Sequence, residues 1–161
     1  MLQMEDGKVY TQSQAILRFV GRVGNLMPKE EYDVFMVDKL LEDAEDLRRE
    51  SYKCFISWGA TQEAADAFVE SVLPLHFRNL ERQLKESKGG YFIGDSLTLA
   101  DVAVYDAVVN FGSNRSPSSL NNFAELKAWK SRVESNEGIS NYLKSEAYAG
   151  LMKFGPETLG K

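Results

Sequence analysis

The densest group of hydrogen-bonding side chains near the amino end is Thr11-Gln12-Ser13, where a short hairpin leads into a helix. The first amides of a helix point outward without partners, and the helix dipole favours negative charge there. A hydroxyl and a carboxamide at this point can add hydrogen bonds to a bound carboxylate. The same residue types also cap helices when no ligand is present. The pattern therefore has two interpretations, a helix cap and a site for an anion.

The single cysteine, Cys54, and the single histidine, His76, limit other chemistry. One cysteine excludes an intrachain disulfide framework and a zinc site built on cysteines. One histidine excludes a His-rich metal centre within one chain. We interpret Cys54 as a small, partly buried apolar residue. We interpret His76 as a packing or surface residue, because no catalytic partner is evident. No metal is expected.

Composition places the chain among ordinary globular proteins. Of its 161 residues 43% are hydrophobic and 27% charged, and the net charge is -5. An acidic chain repels a phosphate backbone, so no nucleic-acid partner is expected. No apolar run approaches the ~20 residues of a membrane span, so no membrane partner is expected either. The amino end lacks the basic and apolar regions of a signal peptide. The sequence therefore predicts a cytoplasmic protein.

The first ten residues predict a small antiparallel hairpin. Leu2-Gln3-Met4 and Lys8-Val9-Tyr10 each alternate apolar and polar side chains, and Asp6-Gly7 between them is a turn dipeptide. Thr11 and Gln14 have capping-box spacing, which predicts that a helix begins here. The apolar stripe of this helix consists of Ala15, Ile16, Phe19, Val20 and Val23.

Two long helices are predicted next. Pro28 suits the first position of a helix, and acidic residues follow it, as the helix dipole favours. We expect this helix to run to about Phe55. Its apolar side comprises Phe35, Val37, Leu40, Leu41, Ala44 and Leu47. Thr61 begins the following helix, and Pro74 inside it predicts a kink.

A buried helix is predicted near the centre of the helical part. Thr98 and Asp101 have capping-box spacing, with a carboxylate in place of the usual glutamate, and the residues after Thr98 are apolar on nearly all sides. Asn121 or Asn122 is expected to cap the next helix. A last short helix is expected after Gly138.

These elements predict a mainly α fold with an asymmetric organisation. Residues 1–26 form a hairpin and one helix, residues 29–150 form five or six helices, and residues 151–161 form a tail without clear periodicity. A two-stranded hairpin is marginally stable alone. We therefore interpret residues 1–26 as the end of a domain whose beginning lies outside this sequence.

Three stretches of the chain resemble glutathione transferases, and the sigma class fits best. Residues 2–26 resemble the last hairpin and third helix of the family's thioredoxin-like domain. Residues 37–46 resemble the acidic, dimer-facing part of its fourth helix. Residues 94–101 resemble the buried capping box of its all-helical C-terminal domain. The motifs that carry the resemblance are Glu5-Asp6-Gly7, Gln12-Ser13, Ala15-Ile16, Arg18-Phe19, Val37-Asp38, Glu42, Glu45-Asp46 and Gly94-Asp95-Ser96-Leu97-Thr98-Leu99-Ala100-Asp101.

The resemblance implies a glutathione site. Gln12 and Ser13 match the pair that binds the γ-glutamyl carboxylate of glutathione. Asp46 matches the acidic residue that reaches the γ-glutamyl ammonium in the neighbouring subunit of a homodimer. Without the resemblance, Asp46 would be interpreted as part of a solvated helix face. Glu42 and Glu45 occupy positions where some sigma enzymes carry metal-binding aspartates, and the change to glutamate argues against a metal here.

The resemblance also suggests where a second substrate would bind. Tyr52, Phe55 and Trp58 correspond to a helix end that lines the pocket for a small apolar electrophile in sigma enzymes. A local aromatic cluster is equally well explained by helix packing. Thr98 and Asp101 have a structural role in either interpretation.

The main departure from the family concerns the catalytic residue. Family members carry about fifty residues before the hairpin, including a tyrosine that stabilises the glutathione thiolate. Tyr10 lies in a different motif, so we assign no catalytic residue in this chain. The family reactions are conjugation of glutathione to electrophiles, as in detoxification, and glutathione-dependent isomerisation or peroxide chemistry. The alternatives are a non-catalytic binding or assembly module and a truncated gene product.

Truncation would have a physical consequence for residues 1–26. The strand Leu2–Met4 would become an unpaired edge, and the stripe that includes Phe19 and Val20 would lose part of its cover. Such a surface favours pairing or aggregation. We therefore expect residues 1–26 to be mobile, swapped between subunits or paired in a dimer.

Overall fold

The computed structural model describes residues 1–150, in which a two-stranded hairpin precedes eight α-helices. The predicted tail, residues 151–161, lies outside the described residues. The elements are β1 (Leu2–Gln3), β2 (Val9–Tyr10), α1 (Ser13–Val23), α2 (Glu31–Phe55), α3 (Gln62–Ala67), α4 (Leu73–Ser87), α5 (Leu99–Asp106), α6 (Ala124–Ser135), α7 (Glu137–Leu143) and α8 (Glu146–Ala149). The predicted mainly α fold is confirmed.

The hairpin forms as the alternation predicts. The strands are antiparallel, with Leu2 opposite Tyr10 and Gln3 opposite Val9. Gly7 adopts a φ of +80°, which a residue without a side chain accepts easily. The Asp6-Gly7 dipeptide is thus the turn that sets the strand register.

The predicted capping box at the start of α1 is wrong. Gln12, not Thr11, is the residue before the helix, and its side chain makes no cap hydrogen bond. The Gln14 side chain instead donates from Nε2 to Glu45 Oε2 on α2, over 3.0 Å. Gln14 therefore bonds to a residue on another helix and does not take part in the capping box that its spacing from Thr11 suggests.

Two details of α2 also differ from the prediction. The helix begins at Glu31 and not at Pro28, so the proline lies in the connection before it. Phe35 is 59% exposed, although the periodicity places it on the apolar side. The other predicted core positions of α2 are buried, and the helix ends at Phe55 as expected.

The core lies where α2 and α4 pack against α5 and α6. Trp129 of α6 is 1% exposed and contacts Phe92 edge-to-face, with ring centroids 5.0 Å apart. The buried aliphatic side chains of α2 and α5 fill the space between these helices. The apolar character of α5 on nearly all sides is explained by this central position.

A π-helical turn lies just before Pro74, where the sequence predicts a kink. Residues Phe68–Val72 form this turn and join α3 to α4. A second π-helical turn, Ala107–Ser113, continues α5. Gly112 in the second turn lies against Phe77 of α4, where an added Cβ would approach the ring to 2.9 Å. The two irregular turns therefore belong to helices that touch.

Neither asparagine caps α6, so that prediction is wrong. Phe123 precedes the helix and supplies no side-chain cap. Glu81 of α4 provides the missing acceptor, since its Oε2 accepts a hydrogen bond from the Leu126 amide over 2.9 Å. The last predicted helix begins at Glu137, before Gly138, with the Asn136 side chain as its cap.

Ser51 supplies a stability prediction. Its side chain is fully buried in α2, and its hydroxyl has no hydrogen-bond partner within the described residues 1–150. Because a buried, unpaired hydroxyl carries a desolvation penalty, Ser51→Ala is expected to leave the free energy of unfolding unchanged or raise it by up to about 1 kcal/mol. Urea denaturation checks this.

Ser87 provides the matched control for Ser51. The Ser87 hydroxyl contacts the carbonyls of Tyr91, at 2.6 Å, and Leu84, at 3.0 Å. Ser87→Ala should therefore lower the unfolding free energy by about 1 kcal/mol. An equal loss in both variants would show that the Ser51 hydroxyl is satisfied in solution.

Candidate functional site

The amino end of α1 presents free backbone donors to solvent. The first helical hydrogen bond runs from the Ile16 amide to the Gln12 carbonyl, over 3.0 Å. The amides of Ser13, Gln14 and Ala15 therefore have no acceptor within the helix. The first turn of α1 contains no acidic residue. Both the amides and the helix dipole thus favour an anion at this point.

The residue before α1 has an unusual backbone conformation. Gln12 adopts a φ of +72°, in the left-handed region that residues with a Cβ rarely occupy. Such a conformation costs of order 1–3 kcal/mol and persists only where the surroundings impose it. Gln12 and Ser13 are both exposed, so their side chains are accessible to a ligand.

Arg18 fastens α1 to α2. Its Nε donates to Asp38 over 2.7 Å, and one terminal nitrogen donates to Glu42 over 3.1 Å. The hydrogen bond to Asp38 is the main cause that raises the pKa of Arg18 above its ordinary value. Its other terminal nitrogen donates to the Gln14 carbonyl over 3.3 Å. One guanidinium therefore holds the first turn of α1 and two carboxylates of α2.

A second polar connection reaches the first turn of α1. Glu45 accepts from Gln14 and lies 3.7 Å from a terminal nitrogen of Arg48. Arg48 also donates to Asp106 of α5 and to the Ala103 carbonyl, over 3.0 and 2.8 Å. The start of α1 is thus linked through α2 to the central helix.

Close packing holds the other end of α1. Gly21 is buried against Leu99, and a Cβ at Gly21 would lie 2.6 Å from that side chain. The Leu99 amide donates to the Leu26 carbonyl over 2.8 Å. Because α1 is held at both ends, the orientation of its free amides is fixed relative to the bundle.

Asp46 lies on the exposed face of α2. Its carboxylate contacts Arg49 of the same helix over 3.2 Å, and 61% of its side chain is exposed. Within residues 1–150 it makes no hydrogen bond to Gln12 or Ser13. The adjacent Glu45 is the residue that reaches α1, so the structure gives these two neighbours different surroundings.

The three aromatic residues at the end of α2 are not brought together. Phe55 is 3% exposed and packs edge-to-face on Phe68, while the Arg115 guanidinium lies over its ring at 4.6 Å. Tyr52 is about half exposed, and Trp58 is fully exposed. Phe55 therefore faces the core, whereas the other two rings face solvent.

Asp101 is the most heavily hydrogen-bonded carboxylate of the described residues. It is fully buried, and its Oδ2 accepts from the Thr98 amide and hydroxyl over 2.9 and 2.8 Å. Its Oδ1 accepts from the Phe92 amide and from Trp129 Nε1, over 3.0 and 2.8 Å. Thr98 and Asp101 thus form a capping box that also joins three parts of the core.

The cysteine and the histidine do not meet a catalytic partner among residues 1–150. Cys54 is half-buried against the core, and burial raises the pKa of its thiol, which reduces the reactive thiolate. His76 is partly buried on α4, and burial lowers its pKa although carboxylates of α2 oppose that shift. Tyr10 is half exposed on β2.

No cluster of metal-ligating side chains is present within residues 1–150. Glu42 and Glu45 instead contact Arg18, Gln14 and Arg48. In the same residues, no helix is long and apolar enough to cross a bilayer.

The roles of Gln14 and Arg18 were not predicted from the sequence. A usable pattern was present, because these residues are four apart and share one face of α1. On α2, Asp38, Glu42 and Glu45 also share a face at helical spacing. Two complementary polar stripes on neighbouring helices would have predicted the contact.

A match to a known protein family identifies the family of this chain. Residues 45–146 match the family model described as "Glutathione S-transferase, C-terminal domain". The chain belongs to the glutathione S-transferase family. Its fold agrees with this assignment: a solved Pi-class glutathione S-transferase of Onchocerca volvulus superposes with a TM-score of 0.79 at 24% identity, covering 95% of this chain and 74% of that one.

Curated glutathione S-transferases are similar over most of this chain. Glutathione S-transferase P of Bos taurus is 30% identical over 136 residues, which are 83% of this chain and 63% of the relative. A probable glutathione S-transferase 8 of Caenorhabditis elegans is 30% identical over 145 residues, 87% of this chain and 70% of the relative. The chain thus spans less than two thirds of the length of the bovine relative.

Proposed function

We propose that this glutathione S-transferase family member binds glutathione at the amino end of α1. The observation that carries the proposal is the set of three outward amides, Ser13 to Ala15, in a first turn without acidic residues. The γ-glutamyl carboxylate accepts hydrogen bonds from these amides, and the Ser13 hydroxyl and Gln12 carboxamide add to them. Glutathione is the substrate, and no metal takes part.

A homodimer completes the site in this proposal. Asp46 of the neighbouring subunit pairs with the γ-glutamyl ammonium in this proposal, since its carboxylate is exposed and contacts Arg49 of its own helix at 3.2 Å. An exposed ion pair contributes little to stability, so the contact with Arg49 leaves Asp46 able to bind an ammonium. The proposed division of the chain is a thioredoxin-like part, residues 1–26, and an all-α domain, residues 29–150.

The proposed reaction is the family's attack of the glutathione thiolate on a small apolar electrophile, with sigma-class isomerisation or peroxide chemistry as the finer assignment. Tyr52 and Trp58 are the exposed aromatic side chains proposed for that electrophile, whereas Phe55 is buried in the core. The proposed setting is the cytoplasm.

A non-catalytic binding module is the second candidate. Binding of the carboxylate needs only the amino end of α1, whereas turnover also needs a group that stabilises the thiolate. We assign no residue of this chain to that role, since the Cys54 thiol and His76 lie elsewhere and Tyr10 belongs to the hairpin. This module would hold glutathione without consuming it.

Calorimetric titration with glutathione tests the proposal. Ser13→Ala is expected to weaken binding about tenfold, because a hydrogen bond to a charged group is lost. Ser96→Ala removes an exposed hydroxyl from a loop outside the site and should bind like the parent chain. The absence of any binding, or equal affinity in the Ser13 variant, would contradict the proposed site.

A conjugation assay with an aryl halide then separates the two candidates. Turnover above the uncatalysed rate supports the enzyme, and binding without turnover supports the module. Activity on a lipid peroxide, in the same preparation, tests the sigma-class assignment.

A further inference from the structure

A hollow of about 350 Å³ lies beside α6, in a part of the bundle that residues 1–26 do not form. Its walls come from the second π-helical turn and the loop after it, from a short 3-10 turn at Ser119–Asn122, and from α6. All these wall residues lie between positions 109 and 131, within the stretch that matches the family's C-terminal domain. Ligand pockets have volumes of about 300–1,000 Å³, so this space, which we call the α6 hollow, has room for a small molecule.

Two lysines give the α6 hollow a positive charge. Lys127 and Lys130 are three residues apart, so their side chains share one face of the helix. Lys127 is exposed, and its ammonium has no ion-pair partner within residues 1–150. None of the described residues that line the hollow is acidic, in a chain whose net charge is -5. The hollow is therefore a region of positive potential on an acidic protein.

The second lysine is only partly neutralised. Lys130 lies 2.6 Å from a carboxylate oxygen of Glu134, one turn further along α6. The same oxygen also accepts a hydrogen bond from the Tyr105 hydroxyl over 2.8 Å. An ammonium carries three donors, so Lys130 keeps two of them for a ligand.

The remaining walls combine hydrogen-bonding and apolar side chains. Four of them carry a hydroxyl or a carboxamide: Ser113, Asn114, Asn121 and Ser131. Three are apolar: Val109, Pro117 and Leu120. Asn114 already donates to Asn110, over 3.3 Å, and Ser131 to the Lys127 carbonyl, over 3.2 Å. The Asn121 side chain is exposed and makes no hydrogen bond within residues 1–150, so its carboxamide is available to a ligand.

This set of groups suits a phosphate monoester better than other small ligands. The two ammonium groups repel a cation, and a wholly apolar molecule would leave their charges without a partner. A phosphate monoester carries a charge of about -1.5 to -2 at neutral pH and three strong acceptor oxygens, whereas a carboxylate has one charge and two oxygens. Two lysines and one carboxamide can serve all three phosphate oxygens, and lysine is a common phosphate ligand.

We infer that the α6 hollow binds a small phosphate monoester. Lys127, Lys130 and Asn121 hold the phosphate, and the organic part of the ligand lies against Val109 and Leu120, which are 8% and 7% exposed. This site is separate from the glutathione site proposed at the amino end of α1. It does not depend on glutathione binding.

An NMR titration of the isotope-labelled 161-residue chain with phenyl phosphate, in phosphate-free buffer, tests this inference. The parent chain is expected to bind with a dissociation constant below about 1 mM, and the shifted amides should lie between positions 109 and 131. Lys127→Gln should raise the dissociation constant at least about tenfold, because the ion-pair partner of the phosphate is lost. Lys144→Gln is the matched control, since it removes another exposed lysine outside the hollow and should bind like the parent. Both lysines are exposed, so both variants should keep the parent circular dichroism spectrum.

Two further probes separate the parts of the ligand. Phenol keeps the ring without the phosphate and should bind at least about tenfold more weakly than phenyl phosphate. Inorganic phosphate has no apolar part to bury, so it should bind at least about fivefold more weakly.

Several outcomes would overturn the inference. The absence of shifts at about 10 mM phenyl phosphate would mean that the hollow has no useful affinity for this class of ligand. Equal affinity in Lys127→Gln, or shifts confined to other parts of the chain, would exclude the site as described. Equal binding of phenol would show an apolar pocket without phosphate recognition, and equal binding of inorganic phosphate would exclude a role for the organic part.

Discussion

Replacing Asp101 by alanine is expected to lower the free energy of unfolding by about 3–5 kcal/mol. The carboxylate is fully buried and accepts four hydrogen bonds, from Thr98, Phe92 and Trp129. Alanine would leave all four donors buried without an acceptor and would open a cavity beside them. Losses of this size are at least a fifth of the roughly 5–15 kcal/mol that stabilises a typical domain.

The measurement is urea denaturation followed by the fluorescence of Trp129. A Trp58→Phe background removes the second, fully exposed indole, so the signal then comes from the core. Asp95→Ala is the matched control, because it removes an exposed carboxylate six residues away. Asp101→Asn should fall between the two, since an amide offers one acceptor oxygen. Loss of less than 1 kcal/mol in Asp101→Ala would show that the four hydrogen bonds are not maintained in solution.

Replacing Arg18 by alanine is expected to release α1 from α2. The guanidinium holds Asp38 and Glu42, and its side chain is only 23% exposed. Without it, the contacts that remain include the Gln14–Glu45 hydrogen bond, the packing of Gly21 on Leu99 and the packing of Leu17 on the core. Amide hydrogen exchange in α1 should then become at least tenfold faster, while exchange in α5 stays unchanged.

Arg22→Ala is the control for this experiment. Arg22 lies on the same helix and is exposed, so its loss changes charge without removing a tie to α2. If glutathione binds as proposed, Arg18→Ala should also weaken binding about tenfold and Arg22→Ala should not. Equal exchange rates in both variants would show that packing alone holds α1 in place.

The fold was predictable to the extent that it follows from periodicity. Helix α2 and the helix that begins at Thr61 show apolar spacing strong enough to give their length and most buried positions. Asp101 was identifiable because its partner Thr98 is three residues away. These features depend on residues that are close in sequence, so the sequence pattern is enough to predict them.

The errors come from contacts between distant residues. Gln14 turns from a local cap towards Glu45, and Glu81 caps α6 from α4. Phe35 occupies an apolar register position at the exposed beginning of α2. No local pattern contains the position of a partner helix, so these contacts could not be predicted from neighbouring residues.

The position of Gln12-Ser13 at the start of a helix was predictable, but the contacts that hold this helix start were not. Gln12-Ser13 lies at a helix start, as expected, and the left-handed backbone of Gln12 was not foreseen. The roles of Gln12, Ser13 and Asp46 remain predictions that the experiments above test. The hydrogen bonds and ion pairs of Arg18 and Arg48 could not be predicted, because they join residues on three different helices.

The π-helical turn at Phe68–Val72 sets the rotation between two halves of one long helix. Before the turn, the helix faces the end of α2; after it, Phe77 meets Phe123 at a centroid distance of 5.6 Å. Each residue advances an α-helix by about 100°, and a π-helical turn holds one residue more than an α-helical one. Deleting a single residue there would restore regular hydrogen bonding and turn the second half away from α6. The π-helical turn therefore fixes a rotation between the two halves of this helix, so that each half packs against a different neighbouring helix.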